Sequence, residues 1–263
     1  MSIGLILPSR GRPEGLKKSL KSIVDNSYSS NLKVYIYLDD NDQKLDQYKT
    51  IINKFERIVD LTIGQPIGVP KSFNLLASKV QEKYIMMFND DLEIKTHYWD
   101  KHFLDDADKI NDQIFVAFFN DGINFNKHAA FPIISKKWFN LVGYSSKNLI
   151  FQHNDTWVFS IGVMLRRTIY YENIKLKHNH GYLEKKYLDE TFLLNRNKIK
   201  IFFDHLIFSF LFISRFISYI KLYKIKKDTF AKNIYFQKKS PLSVEINNLK
   251  ETLISAFKIY RFK

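Results

Sequence analysis

Residues 3–7 form a short apolar run that stops at Pro8-Ser9-Arg10-Gly11-Arg12-Pro13, after which Leu16, Leu20, Ile23 and Val24 recur at helical spacing over 15–24. The pattern predicts strand, loop, helix. Over 32–38, Val34, Ile36 and Leu38 alternate with polar or aromatic neighbours, predicting a second strand that runs into the acidic cluster Asp39-Asp40-Asn41-Asp42. A helix over 46–57, a strand over 59–63, a helix over 71–83 and a buried strand over 84–88 follow, the last ending at Asn89-Asp90-Asp91.

Strands and helices alternating at this length imply crossover connections, hence a largely parallel sheet with helices on both faces. Ligands of such sheets bind beyond the carboxyl ends of the strands. The three polar clusters, 8–13, 39–42 and 89–91, all fall at such ends, so they are expected to line one crevice although they lie far apart in sequence. Past residue 95 the pattern becomes irregular, with aromatic pieces at 115–119, 138–142 and 156–163. Composition shifts again near residue 200: 206–220 is apolar apart from Ser209, Ser214, Arg215 and Ser218, and Lys221, Lys224, Lys226 and Lys227 come directly after. The stretch 243–260 has helical spacing once more.

With 263 residues, 45% of them hydrophobic, the chain can bury a full core, and the length favours one large domain with an appendage. The net charge of +14 suits phosphate-bearing ligands, nucleic acid or an anionic membrane surface. Charge alone does not choose among them, because a Lys- and Asn-rich, Ala- and Gly-poor composition also follows from AT-rich coding. Cysteine is absent, which excludes disulfides, thiolate zinc sites and a cysteine nucleophile and leaves oxygen or imidazole ligands for any metal. The N-terminal residues 1–8 lack the basic start and length of a signal peptide, so a cytoplasmic location is the expectation.

Asp90-Asp91 at a strand end offers hard carboxylate oxygens suited to Mg²⁺ or Mn²⁺, although adjacent acidic residues in that position also occur as solvated turns. The first two hundred positions, taken in order and spacing, resemble the family 2 glycosyltransferases of the GT-A fold. Ile6-Leu7-Pro8-Ser9-Arg10 is similar to that family's first strand and nucleotide loop, and 34–41 to its second strand with an acidic end; Gly68 through Asn74 is similar to its glycine-to-asparagine approach to a helix, and Phe88-Asn89-Asp90-Asp91 to its Asp-x-Asp motif. Asn89 departs from the motif at its first acidic position.

What the resemblance implies is specific. The fold would be a mixed, mostly parallel Rossmann-like sheet flanked by helices. Residues 1–203 would be the catalytic domain, with a nucleotide-binding half over 1–95 and an acceptor half over 96–203, and 204–263 a helical, basic extension. A nucleotide diphosphate donor, with UDP as the family's commonest nucleotide, would meet Pro8, Ser9, Arg10 and Asn74, with Asp40 on the base and Asp90 on the ribose. Asp91 would ligate Mn²⁺ or Mg²⁺ on the diphosphate. Arg10 reads equally as a solvated loop arginine. Gln152-His153-Asn154-Asp155-Thr156-Trp157 resembles the segment presenting the catalytic base, which makes Asp155 the base of an inverting transfer, while an Asp ahead of a helix is also a common N-cap. Trp157 reads as a core residue or a sugar platform. Of His178-Asn179-His180, His180 is the expected metal ligand because Gly181 follows it, and Asp189 has no assigned role.

A nucleotidyltransferase would open on a glycine-rich basic loop that 8–12 does not make. Nucleic-acid binding would account for the charge, but the acidic clusters at strand ends, 39–42 and 89–91, argue against it; a non-catalytic partner-binding member of the same fold is the other alternative. The acceptor is expected to be a glycan or a lipid-linked species, as in polysaccharide biosynthesis. The stretch 206–227 predicts a helix too short to span a bilayer, about 22 Å over its apolar part. Through 204–227 that helix would dock peripherally on the inner face of an anionic membrane, with Phe208, Leu211, Phe212 and Phe216 in the acyl boundary, or pack on the catalytic domain or a second copy.

Overall fold

Eight strands form one sheet in the order β3-β2-β1-β4-β7-β6-β8-β5 in a computed structural model that describes residues 2–150, 152–179 and 198–225. The strands are β1 (Ile3–Ser9), β2 (Lys33–Asp39), β3 (Val59–Gly64), β4 (Tyr84–Met87), β5 (Leu92–Ile94), β6 (Val116–Asn120), β7 (Ile133–Ser135) and β8 (Thr168–His178). The helices are α1 (Pro13–Asn26), α2 (Leu45–Ile52), α3 (Val69–Lys79), α4 (Trp99–Ala107), α5 (Lys136–Val142), α6 (Asn154–Met164), α7 (Lys198–Phe210) and α8 (Phe212–Tyr223).

In the first half the predicted order holds, with small shifts at the ends. Pro13 begins α1, two residues ahead of the periodic stretch, because its missing N–H is no loss at the first helical position. The helix expected over 46–57 gives way at Asn53 to a single 3₁₀ turn, and the one expected over 71–83 ends at Lys79, so that Val80 can enter the core. Strands β3, β2, β1 and β4 pair in parallel. The connections through α1 and α2 step outward on one side of β1 and the one through α3 returns to the other, so the strand order reverses between β1 and β4 and opens a crevice at their carboxyl ends.

Beyond residue 95 the sheet becomes mixed, as expected, with β6 and β8 still paired in parallel. Strand β7 enters antiparallel to β4, β6 antiparallel to β7, and β5 antiparallel to β8, which carries a bulge opposite Phe119/Asn120. These short pairings have no long apolar alternation of their own, so sequence periodicity did not reveal them. Two apolar cores cover the faces: α1, α2 and α4 with Trp99 and Phe103 on one, and α3, α5 and α6 with Trp138 and Trp157 on the other. Trp157, 3% exposed, is therefore a core residue.

The tail differs most from expectation. A single helix over 206–227 is replaced by α7 and α8, bent by 52° around Leu211. Both lie against the body of the sheet domain, α7 on residues 150, 152 and 153 and α8 on α5 and α6. Phe208, expected to face lipid, is 1% exposed and stacks on His153 at 4.5 Å, and Arg215 is buried with its guanidinium over Phe208 at 3.9 Å and donating to the Phe208 carbonyl. The stretch 243–260 lies outside the described residues.

Candidate active site

Strand β1 ends at Ser9, whose hydroxyl donates to Asp90 Oδ2 at 2.5 Å across the β1–β4 crevice and also meets the Tyr48 hydroxyl at 2.8 Å. Pro8 lies on the same strand, half-buried and paired in register with Tyr37. The chain turns at Gly11, φ +73°, so Arg10 and Arg12 leave on opposite sides. Arg10 goes toward β2, donating to Asp39 Oδ2 at 2.5 Å and Asn41 Oδ1 at 2.7 Å. Arg12 goes toward β4, donating to Asp90 Oδ1 at 3.4 Å and standing 3.8 Å from Asp91 Oδ2. The basic residue against the acidic pair is thus Arg12, while Arg10 turns to the end of β2. Asp40 stands exposed on the rim past β2, and the buried Asp42 accepts from the Gly11 amide at 2.7 Å.

Helix α1 holds the acidic turn from behind. Ser19 donates to Leu92 and Asn89 carbonyls, and a Cβ on Gly15 would stand 2.6 Å from the Asp90 carbonyl oxygen, so only glycine lets the helix approach this closely. Asp90 is buried and its carboxyl is raised above the usual range, first by burial and then by the charge of Asp91, against the pull of Arg12 and Ser9. Asp91 Oδ1 is buried and accepts no hydrogen bond from the described residues. A buried carboxylate oxygen without a donor is costly in isolation and fits a position held for a cation.

The antiparallel pairing of β5 with β8 sets Leu92 opposite His178, the Asn179 amide donates to the Asp91 carbonyl at 2.8 Å, and His178 Nε2 stands 3.7 Å from Asp91 Oδ2. Asp121, past the end of β6, is 4.0 Å from the other ring nitrogen of His178. Of the two histidines weighed from the sequence, His178 lies beside Asp91; His180, the expected ligand, and Asp189 lie outside the described residues. Among those residues no group of three or more His, Asp or Glu side chains converges as a complete metal cage. The donor set suits a hard cation that takes one or two protein carboxylates and fills its shell with phosphate oxygens and water.

Asp155 sits in the first turn of α6, 30% exposed at its side chain, where the helix N-terminus favours negative charge. Its Oδ2 meets His128 Nε2 at 2.8 Å and its Oδ1 accepts from the Thr156 amide at 2.7 Å. Burial would raise the carboxyl, but His128 and these hydrogen bonds hold it below its ordinary value; burial likewise opposes the His128 cation, yet Asp155 holds that imidazole above its ordinary value. Nothing in the sequence near 128 marks that histidine, which follows a 3₁₀ turn in the irregular half. Asn74 gives its amide to Ser145 and accepts from the Ser145 amide, and the Ser145 hydroxyl reaches Asn154, so Asn74 ties α3 to the segment carrying Asp155.

That segment is also clamped by the tail. Asp204, fully buried, accepts from the Ile150 and Gln152 amides at 2.7 and 2.8 Å, and His205 Nδ1 meets His153 Nε2 at 2.9 Å. His153 adopts φ +68°, a left-handed conformation that a non-glycine residue holds only under surrounding constraint, and burial followed by the nearby His205 lowers its pKa to about 4. Asp204→Ala strips the acceptor from two amides and is expected to destabilise the fold by about 1–3 kcal/mol, read as a lower urea midpoint with an unchanged slope. An unchanged midpoint would show that water replaces the clamp.

A family model described as glycosyl transferase family 2 matches residues 5–174. No curated protein matches the chain in sequence. Among solved structures, S. aureus TarS 1-349 aligns with a TM-score of 0.53 at 14% identity over 76% of this chain, which spans 65% of that protein and 39% of the longer TarS chain. TarS 1-349 in complex with UDP-GlcNAc aligns at 0.60 and 11% identity over 96% of this chain and 72% of that one. The mannosyltransferase PcManGT from Pyrobaculum calidifontis, in complex with GDP-Man and Mn²⁺, aligns at 0.60 and 10% identity over 97% of this chain and 75% of that one. At these identities the likeness is one of fold.

Proposed function

The chain belongs to glycosyl transferase family 2 and is a glycosyltransferase with the GT-A fold, and from that premise we propose that it transfers a sugar from a nucleoside diphosphate donor, UDP first, to a glycan or lipid-linked acceptor with inversion at the anomeric carbon. The observation that carries the reading is the β1–β4 crevice, in which Ser9, Arg12, Asp90 and an Asp91 oxygen without a hydrogen-bond partner among the described residues converge. A nucleotide entering over the strand ends would meet Asp40 at the exposed rim with its base, Asp90 with its ribose, and the loop 9–12 with its diphosphate.

Asp91, with a histidine of the 178–180 segment, would hold Mn²⁺ or Mg²⁺, the family's usual cations. Bound there, such a cation supplies positive charge against the departing diphosphate. Arg12 adds a second positive group beside the same carboxylates. Asp155 takes the proton of the acceptor hydroxyl as that oxygen bonds to the anomeric carbon and the bond to the diphosphate breaks on the opposite side. Kept ionised by His128, Asp155 can accept that proton at neutral pH. Asn74, Ser145 and the Asp204 clamp fix the segment that presents it.

A panel of nucleotide diphosphate sugars incubated with the protein and Mn²⁺ is expected to release one nucleotide diphosphate, and a chelator to stop the release. No release from any donor, with the fold intact, would overturn the transferase mechanism for this chain. The pairing with His128 has its own signature. In His128→Gln, burial is no longer opposed by the imidazole, so the acid limb of the pH–rate profile is expected to move to higher pH. A limb that stays in place would separate His128 from the base.

A further inference from the structure

Helix α8 is inside out. Its buried residues are Arg215, Ser218 and Leu222, on the face toward the body, whereas Phe212, Ile213, Phe216, Ile217 and Ile220 are 39–58% exposed. A helix on a protein in water buries its apolar stripe and exposes its polar one. Phe210, at the bend before it, is 78% exposed, and eight of the fifteen large apolar side chains that the described residues expose lie between 203 and 223. Such a concentration marks an interaction surface, for a second protein or for a membrane.

The charges around it choose the occupant. Lys221 and Lys224 are exposed at the end of α8, and Lys226 and Lys227 follow in the sequence. Between 198 and 227 the one acidic residue is Asp204, which is buried in the clamp. In a two-fold pairing of this face with itself, the lysines would meet no acidic partner from 198–227. Anionic headgroups above an acyl boundary would satisfy both halves of the surface. Among the described residues no single helix is long and apolar enough to cross a bilayer, and α7 and α8, about 20 and 18 Å long, meet at a 52° bend.

We propose that the outer face of α7–α8 is a monotopic docking surface for an anionic lipid bilayer, with Phe210, Phe212, Ile213 and Phe216 in the acyl boundary and Lys221 and Lys224 among the headgroups. The inner face of the same pair carries Asp204, His205 and Arg215 against residues 150–157. Docking therefore brings the Asp155 side of the crevice close to the lipid surface, where a headgroup-linked acceptor would lie. That consequence rests on the transferase reading; the docking itself does not.

The test is flotation of the full chain with vesicles of phosphatidylcholine and phosphatidylglycerol in equal parts, without donor, cation or acceptor, so that a failed mechanism leaves the result untouched. The wild type is expected to float with these vesicles and far less with phosphatidylcholine alone. Lys221→Glu with Lys224→Glu is expected to weaken partition by at least about fivefold per lysine. Phe212→Glu with Phe216→Glu, both at exposed positions, is expected to abolish flotation while circular dichroism and the thermal midpoint stay at wild-type values. A wild type that stays with the free protein, or a phenylalanine variant that floats equally well, overturns the proposal. So does a non-floating homodimer that the phenylalanine variant dissociates, which would assign the face to a second copy.

Discussion

Asp91→Ala is expected to abolish cation-dependent donor binding while leaving the free protein as stable as the wild type or more so. Groups that merely orient a metal ligand are worth roughly 10–100-fold in affinity, so loss of the ligand itself should exceed about a hundredfold, read by calorimetry with a nucleotide diphosphate in Mn²⁺. The stability arm follows from the geometry. In the free protein Asp91 Oδ1 is buried without a hydrogen-bond donor among the described residues, and its charge disfavours the ionised form of Asp90, so removing the carboxylate removes a cost. A mutant with wild-type affinity would sink the metal assignment, and a mutant that loses both affinity and fold would mean that the Asp91 side chain is structural.

Asp155→Asn should retain donor binding and lower sugar transfer by roughly two to four orders of magnitude, the usual worth of a positioned general base. Asparagine keeps the size and can still accept from the Thr156 amide, so the first turn of α6 should persist. What it loses is the charge facing His128 and the capacity to take a proton. The ratio of transfer to donor affinity separates this outcome from the Asp91 one: kcat falls here at constant donor affinity, whereas donor affinity falls there. Transfer near the wild-type rate would move the base elsewhere or make the reaction retaining.

Part of the site is legible in the amino-acid pattern alone. The clusters at 8–13, 39–42 and 89–91 are expected in one crevice because alternating strands and helices force parallel crossovers, and the hydrogen bonds from Ser9 to Asp90 and from Arg10 to Asp39 join all three. Arg12 is present in the first cluster, yet the pattern does not assign its side, because a left-handed Gly11 between two arginines reverses which one faces β4. His128 carries no signal at all. It reaches Asp155 from an irregular loop 27 residues away, and period 2 or 3.6 says nothing about such a contact.

By itself the sequence determined the first four strands, the helices between them and the end of the sheet at which the three polar clusters meet, since hydrophobic periodicity is local and the handedness of crossovers is nearly invariant. It also named Asp91 and Asp155 through a family pattern written in short contiguous motifs. Only the tertiary structure set His178 beside Asp91, because that depends on the antiparallel register of β5 and β8, which lie about eighty residues apart. The orientation of the tail was likewise beyond the pattern: a run of Phe, Leu and Ile interrupted by Arg215 shows that a helix is apolar, but which face turns inward is set by what the body offers. Here it offers Trp157 and the segment that Asp204 clamps, so Arg215 and Phe208 turn in, whereas Phe203, Phe210, Phe212, Phe216 and Tyr223 turn out.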